Sequence, residues 1–93
     1  MSFSISEFQE MIKQRDYDPE KCELYFMKLV EEVELGRAMR KKLKYEQSIK
    51  NTIDEEIYDI IYYVLAIANL YDVDFDEAMM LKEKINDKRY RAS

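Results

Sequence analysis

Two acidic pairs, Glu31-x-x-Glu34 and Glu56-x-x-Asp59, stand within apolar helical patterns in a chain with no histidine and a single cysteine. Residues three apart are neighbours on one helix face, so two such helices packed together aim four carboxylates at a common point. Four oxygen donors suit Mg²⁺ or Mn²⁺, the cations that hold phosphates. Asp59 lies past the first turn of its helix, on a stripe continuing through Tyr63, Ala66, Ile67 and Leu70, where an unpaired carboxylate is costly to bury. Glu31 and Glu34 likewise interrupt the apolar series Phe26, Leu29, Val30, Val33, Leu35, Met39. Asp54, Glu55 and Glu56 have a second reading, because acids at a helix start complement the macrodipole without binding anything. With no Ser-His pair and no cysteine nucleophile arrangement, a carboxylate-activated water is the simplest chemistry left.

The elements that must position these groups are helical. One glycine, one proline, 38% charged and 47% apolar residues describe an amphipathic all-α chain, and 93 residues suit a single domain, 1–93, helped by self-association. Ser4 with Glu7 forms a capping box for a first helix that closes at Arg15-Asp16-Tyr17. Asp18-Pro19 starts a second, which carries Cys22, Tyr25, Phe26, Leu29 and Val33 on one face and runs to about Lys44. Tyr45 to Asn51 is polar and aperiodic; Thr52 with Glu55 then caps a third helix, Ile57 to Tyr71, apolar nearly all round and expected to be buried within a bundle and against another subunit. Asp74 caps a last helix, Phe75 to about Arg89, with Ala78, Leu81 and Ile85 facing inward.

A net charge of -5 argues against general binding of nucleic acid. The basic run Arg37, Arg40, Lys41, Lys42, Lys44 is read as cations favoured near a helix C-terminus, with no stacking platform between them. Cys22 reads as a buried small hydrophobe in a reducing compartment. Met1 to Ser4 lacks the features of a signal peptide, and the apolar run Ile60 to Ala68 is too short to span a bilayer, so a soluble cytoplasmic protein without a membrane partner is expected.

Lys28-Leu29-Val30-Glu31-Glu32-Val33-Glu34-Leu35 and Glu55-Glu56-Ile57-Tyr58-Asp59-Ile60-Ile61-Tyr62-Tyr63 resemble the two acidic motifs of the MazG-like all-α nucleoside triphosphate pyrophosphohydrolases, relatives of dimeric dUTPases and phosphoribosyl-ATP pyrophosphohydrolase. Ala68-Asn69-Leu70-Tyr71-Asp72-Val73-Asp74-Phe75-Asp76-Glu77-Ala78 resembles the link into that family's last helix, which here carries Lys82, Asn86, Arg89 and Tyr90. The resemblance implies a four-helix oligomeric bundle, a homodimer or homotetramer, that hydrolyses a nucleoside triphosphate to monophosphate and pyrophosphate with Mg²⁺ (or Mn²⁺), as in nucleotide-pool house-cleaning. It implies Glu31, Glu34, Glu56 and Asp59 as metal ligands, Glu32 or Glu55 as general base, and Lys82, Asn86 and Arg89 as phosphate contacts. Phe8 or Tyr17 is a candidate for stacking on the base.

The first motif departs from the family pattern of Glu-Glu, two residues, then Glu-Leu: after Glu31-Glu32 only Val33 precedes Glu34-Leu35. The stripe before it (Cys22, Phe26, Leu29, Val33) and the one after it (Leu35, Ala38, Met39, Leu43) are out of phase by about 100°, one residue's rotation. A distortion near Gly36 is expected to absorb the mismatch, the alternative being two faces both buried in an oligomer. If the upstream register prevails, Glu32 takes the place of Glu31. The shortened motif also keeps open a catalytically silent helical module.

Overall fold

The computed structural model describes residues 4–38 and 52–92. Among the described residues there are four α-helices, α1 (Ile5–Arg15), α2 (Cys22–Ala38), α3 (Ile53–Leu70) and α4 (Phe75–Ala92), with one 3-10 turn, Pro19–Lys21, leading into α2. Met39 to Asn51, which hold the end of the expected second helix and four of the five basic-run residues, lie outside the described residues.

The helix starts follow the local chemistry of their caps. Ser4 Oγ, Thr52 Oγ1 and Asp74 Oδ1 accept from the backbone N–H groups of Glu7, Glu55 and Glu77 at 3.1, 3.3 and 3.2 Å. Each thereby satisfies a donor that the first turn leaves without an intrahelical partner. Asp18 does the same for Glu20 at 3.0 Å, but the turn that it caps is 3-10, and α2 proper begins only at Cys22. The start of α3 lies directly after its Thr52 cap, earlier than Ile57, because capping rather than the first apolar residue sets the boundary. Its end is a Schellman turn: Val73 N–H donates to Ala68 O and Asp72 N–H to Asn69 O, with Asp72 at φ 57° in the left-handed position usually given to glycine.

α2 and α3 run antiparallel. Gly36 lies over Ile53 and Glu56, while Cys22, at the other end of α2, is half-buried with its thiol 3.9 Å from the Tyr71 hydroxyl. α1 crosses α3 and closes the core, in which Ile12, Tyr25, Leu65, Ala66 and Ile67 are buried and Phe8, Leu29, Tyr62 and Tyr63 pack around them. Gln9 ties α1 to the α3–α4 link, donating to Val73 O and accepting from Phe75 N–H, while Asn69 Nδ2 donates to Gln9 O at 2.9 Å. A polar cleft of about 230 Å³ beside these amides lies at the end of α3 remote from Glu56.

Two expectations change. No distortion occurs near Gly36: α2 is an uninterrupted α-helix through Ala38. The phase mismatch appears instead as exposed apolar side chains, Phe26, Val30, Val33 and Leu35 among them. On α4, Leu81 and Ile85 do not face a core but are each 54% exposed, because this helix packs mainly on α1 and covers little of its apolar stripe within one protomer. No helix among the described residues is long and apolar enough to cross a membrane.

Gly36 itself is buried at the α2–α3 crossing. A Cβ there would meet Glu56 Cβ and Ile53 Cδ1 at 3.8 Å and Ile60 Cδ1 at 3.9 Å, which is ordinary van der Waals contact. Gly36→Ala is therefore expected to stabilise the fold by about 0.5–1 kcal/mol through the lower backbone entropy of the unfolded chain. A higher denaturation midpoint in urea is the readout, and a lower one would show that the crossing has no room for a methyl group.

Candidate metal centre

Where α2 crosses the first turns of α3, Glu32 meets Glu56 and Asp59, one carboxylate oxygen of each lying within 4.8 Å of the other two. The placement follows from helix geometry. Glu56 and Asp59 are one turn apart on the α3 face that receives α2, and Glu32 lies on the α2 face that also carries Tyr25, Leu29 and Gly36, all at spacings of three, four or seven.

Glu56 is the centre of the group. It is 6% exposed, and its Oε2 is buried without a hydrogen-bond partner. A hydrogen bond with Glu32, then burial, then the charges of Glu32, Asp59 and Glu55 push its carboxyl up to about 7. Asp59 is also raised, by burial first and by Glu32 and Glu55 second. Three carboxylates this close repel when all are ionised, which favours the protonated form of Glu56. A divalent cation offsets the same repulsion. The donor set is all hard oxygen, and Glu56 keeps a buried oxygen without a partner, both of which fit Mg²⁺ or Mn²⁺.

The remaining candidates from the sequence fall elsewhere. Glu31 points to the surface, pairing with Lys28 at 3.6 Å, and with Glu34 and Leu35 it lines a shallow depression outside the cluster. The cause is the straightness of α2: relative to Glu32, position 31 is turned by about 100° and position 34 by about 200°. The sharing of a face by Glu31 and Glu34 was legible; which face meets α3 was not. Glu55 is half-buried beside the cluster, at the Thr52 cap, and its charge acts on both Glu56 and Asp59. Lys82 and Arg89 are exposed on α4, and Asn86 Nδ2 donates to Glu83 at 3.5 Å, so within one protomer these three belong to the helix packed on α1. Phe8 is engaged with Tyr58 and Tyr62 at ring-centroid distances of 5.5 and 6.2 Å, whereas Tyr17 is half exposed beneath Lys13.

Two neighbours of the cluster were not singled out by motif. Lys28 stands one turn before Glu32, and Tyr63 one turn after Asp59. Burial is the main cause that raises the Tyr63 hydroxyl; Lys28 acts against it, while Glu32, Asp16 and Asp59 add to it. Their spacing of four from Glu32 and Asp59 was the available signal. Further along, the Tyr62 hydroxyl donates to Asp16, tying the α1 end to α3.

No family model and no curated protein matches the chain. Among solved structures it is similar to two crystal structures of iMazG from Vibrio DAT 722, Ctag-iMazG and Ntag-iMazG. The Ctag-iMazG structure superposes with a TM-score of 0.83 at 39% identity over 91% of this chain and 99% of that one. For the Ntag-iMazG structure the TM-score is 0.84 at 39% identity, over 95% and 98%. Likeness of that degree over nearly the whole of both chains reaches well beyond a shared bundle architecture, and the chain belongs to the MazG-like family.

Proposed function

We propose that the protein is a divalent-cation-dependent nucleoside triphosphate pyrophosphohydrolase, releasing nucleoside monophosphate and pyrophosphate. The observation that carries this reading is the Glu32, Glu56, Asp59 cluster with the buried, unpartnered Glu56 oxygen, set in a MazG-like fold. Those three carboxylates would hold the cation. When bound, Mg²⁺ or Mn²⁺ supplies neutralisation of phosphate charge and acidification of water. Glu55, beside the cluster and not in it, accepts the proton of the attacking water as general base. The water oxygen bonds to the α-phosphorus, the bond to the bridging oxygen breaks, and pyrophosphate departs with that oxygen. Lys28 and Tyr63 contact the phosphate chain at the edge of the site, where a cation and a hydroxyl donor favour anionic oxygens. Lys82, Asn86 and Arg89 take part where a second copy brings α4 to the cluster.

Such a second copy suits the apolar surface left on one protomer: Met27 and Val30 on α2, Ile57 on α3, Met80 and Ile85 on α4 are at least half exposed. A homodimer or homotetramer of single-domain chains, working in the cytoplasm, is the assembly proposed. The test is a panel of nucleoside triphosphates with Mg²⁺, read for pyrophosphate rather than phosphate. Release is expected to vanish with chelator and with Glu56→Gln; equal, chelator-insensitive release from both proteins would sink the reading. One observation favours a silent nucleotide-binding module instead, the presence of only one α2 carboxylate in the cluster, and binding without turnover across the panel would establish it.

A further inference from the structure

The one-residue shortening of the first acidic motif has a structural outcome that no family pattern supplies. Because α2 passes through it as a regular helix, Glu34 is carried to the outer surface and Glu32 is left as the single α2 carboxylate at the centre. The positions one turn beyond Glu32, where a second ligand from α2 would stand, hold Leu35 and Gly36. Leu35 is half exposed and has no donor atom; Gly36 has no side chain at all, and its Cα sits over Glu56 with room for a Cβ at 3.8 Å from Glu56 Cβ. Glu56 meanwhile keeps an oxygen that is buried and unpartnered, so the site is built to receive a cation yet lacks a quarter of the carboxylates that two matched pairs would provide.

We infer that positions 35 and 36 make this a three-carboxylate centre that takes its cation together with a triphosphate rather than as the free ion. The inference rests on the hydrolase reading and extends it to how the site is loaded. A divalent cation on oxygen ligands is held more weakly as anionic ligands are withdrawn, and Mg²⁺ and Mn²⁺ readily complete their shell with phosphate oxygens and water. A nucleoside triphosphate brings those oxygens itself. Lys28, one turn before Glu32 on α2 and paired with Glu31 at 3.6 Å, favours arrival of the cation in its anionic nucleotide complex over arrival of the bare ion.

Leu35→Glu restores a Glu-x-x-Glu pair starting from Glu32, with the spacing that Glu56 and Asp59 already have, at a position exposed enough to accept a charge. Free Mn²⁺, followed by its electron paramagnetic resonance signal, is titrated against both proteins with and without a triphosphate whose α,β bridge resists hydrolysis. Wild type is expected to bind Mn²⁺ alone at least tenfold more weakly than Leu35→Glu, and to gain at least tenfold when the triphosphate is added. Leu35→Gln, which adds polarity without charge, should behave as wild type. Gly36→Asp repeats the test from the neighbouring position should Leu35→Glu fail to give the helical circular dichroism of wild type. Equal Mn²⁺ affinity of wild type and both acidic variants overturns the inference while pyrophosphate release by wild type leaves the hydrolase reading standing. Absence of Mn²⁺ binding by every protein, with or without triphosphate, overturns both.

Discussion

Glu32→Gln is expected to lower pyrophosphate release by about 10²–10³-fold, whereas Glu31→Gln and Glu34→Gln stay within about fivefold of wild type. The contrast follows from one helix. Glu32 has a carboxylate oxygen within 4.8 Å of those of Glu56 and Asp59, so its loss removes one of three anionic donors at the point where phosphate charge must be neutralised. Glu31 is one residue away in sequence but pairs with Lys28 on the surface, and Glu34 lines an open depression. Removing Glu31 frees Lys28 and changes only its orientation. Steady-state rates on a responsive triphosphate, at saturating Mg²⁺, decide the matter. Equal losses at positions 31 and 32 would show that α2 is turned in the working protein relative to the arrangement described above. A large loss at position 34 with none at 32 would restore the Glu31-x-x-Glu34 pair as the ligand set.

What the chain made legible was mostly local. Ser4, Thr52 and Asp74 are caps whose partners lie three residues away, so no knowledge of packing was needed to place the starts of α1, α3 and α4. Glu56 and Asp59 were legible for a related reason, since an acidic pair on a helix that is apolar nearly all round has to face something that compensates it. The α2 member of the cluster was harder. Two registers of apolar residues compete on that helix, and the choice depends on whether the backbone bends or the second stripe stays uncovered. A bend costs hydrogen bonds along the helix, whereas exposed Val30, Val33 and Leu35 cost little where another surface can cover them. The stripe on α4 eluded the sequence in the same way: an apolar face shows that a residue needs cover, not whether the cover comes from the same chain. Gln9 was missed because its partners, Val73 and Phe75, lie more than sixty positions away and are backbone groups that carry no side-chain signature. Lys28 and Tyr63 gave only a spacing of four from the acids, which many surface residues share.

The pH dependence of folding provides the second large effect, because three carboxylates with oxygens within 4.8 Å of one another repel when all are ionised. The Glu56 carboxyl is pushed up to about 7 from an ordinary value of 4.5, by its hydrogen bond with Glu32 first, then by burial and the charges of Glu32, Asp59 and Glu55. Between those two values the folded chain binds more protons at Glu56 than the unfolded chain does. The stabilising contribution is therefore fully present below the unfolded value and is lost as pH climbs through the folded one. The whole shift corresponds to about 3 kcal/mol. Solvent around the half-buried Glu32 and Asp59 screens part of it, leaving about 2 kcal/mol, or a change of roughly 10 °C in Tm for a chain of this size. Glu56→Gln removes this titration while preserving shape. In chelator, wild type and variant are expected to melt together near pH 4.5 and to diverge as pH rises, the variant being the more stable at pH 8; parallel curves across that range would mean that Glu56 is not held protonated. Adding Mn²⁺ and a non-hydrolysable triphosphate at pH 8 should invert the order, because only wild type keeps the full donor set. Ligand at one hundred times its Kd adds about 2.7 kcal/mol to the protein that binds it, enough to outweigh the repulsion that the empty site carries. The destabilising cluster is then the one that binds, and the same carboxylates that weaken the empty fold at neutral pH are what the cation–triphosphate complex stabilises.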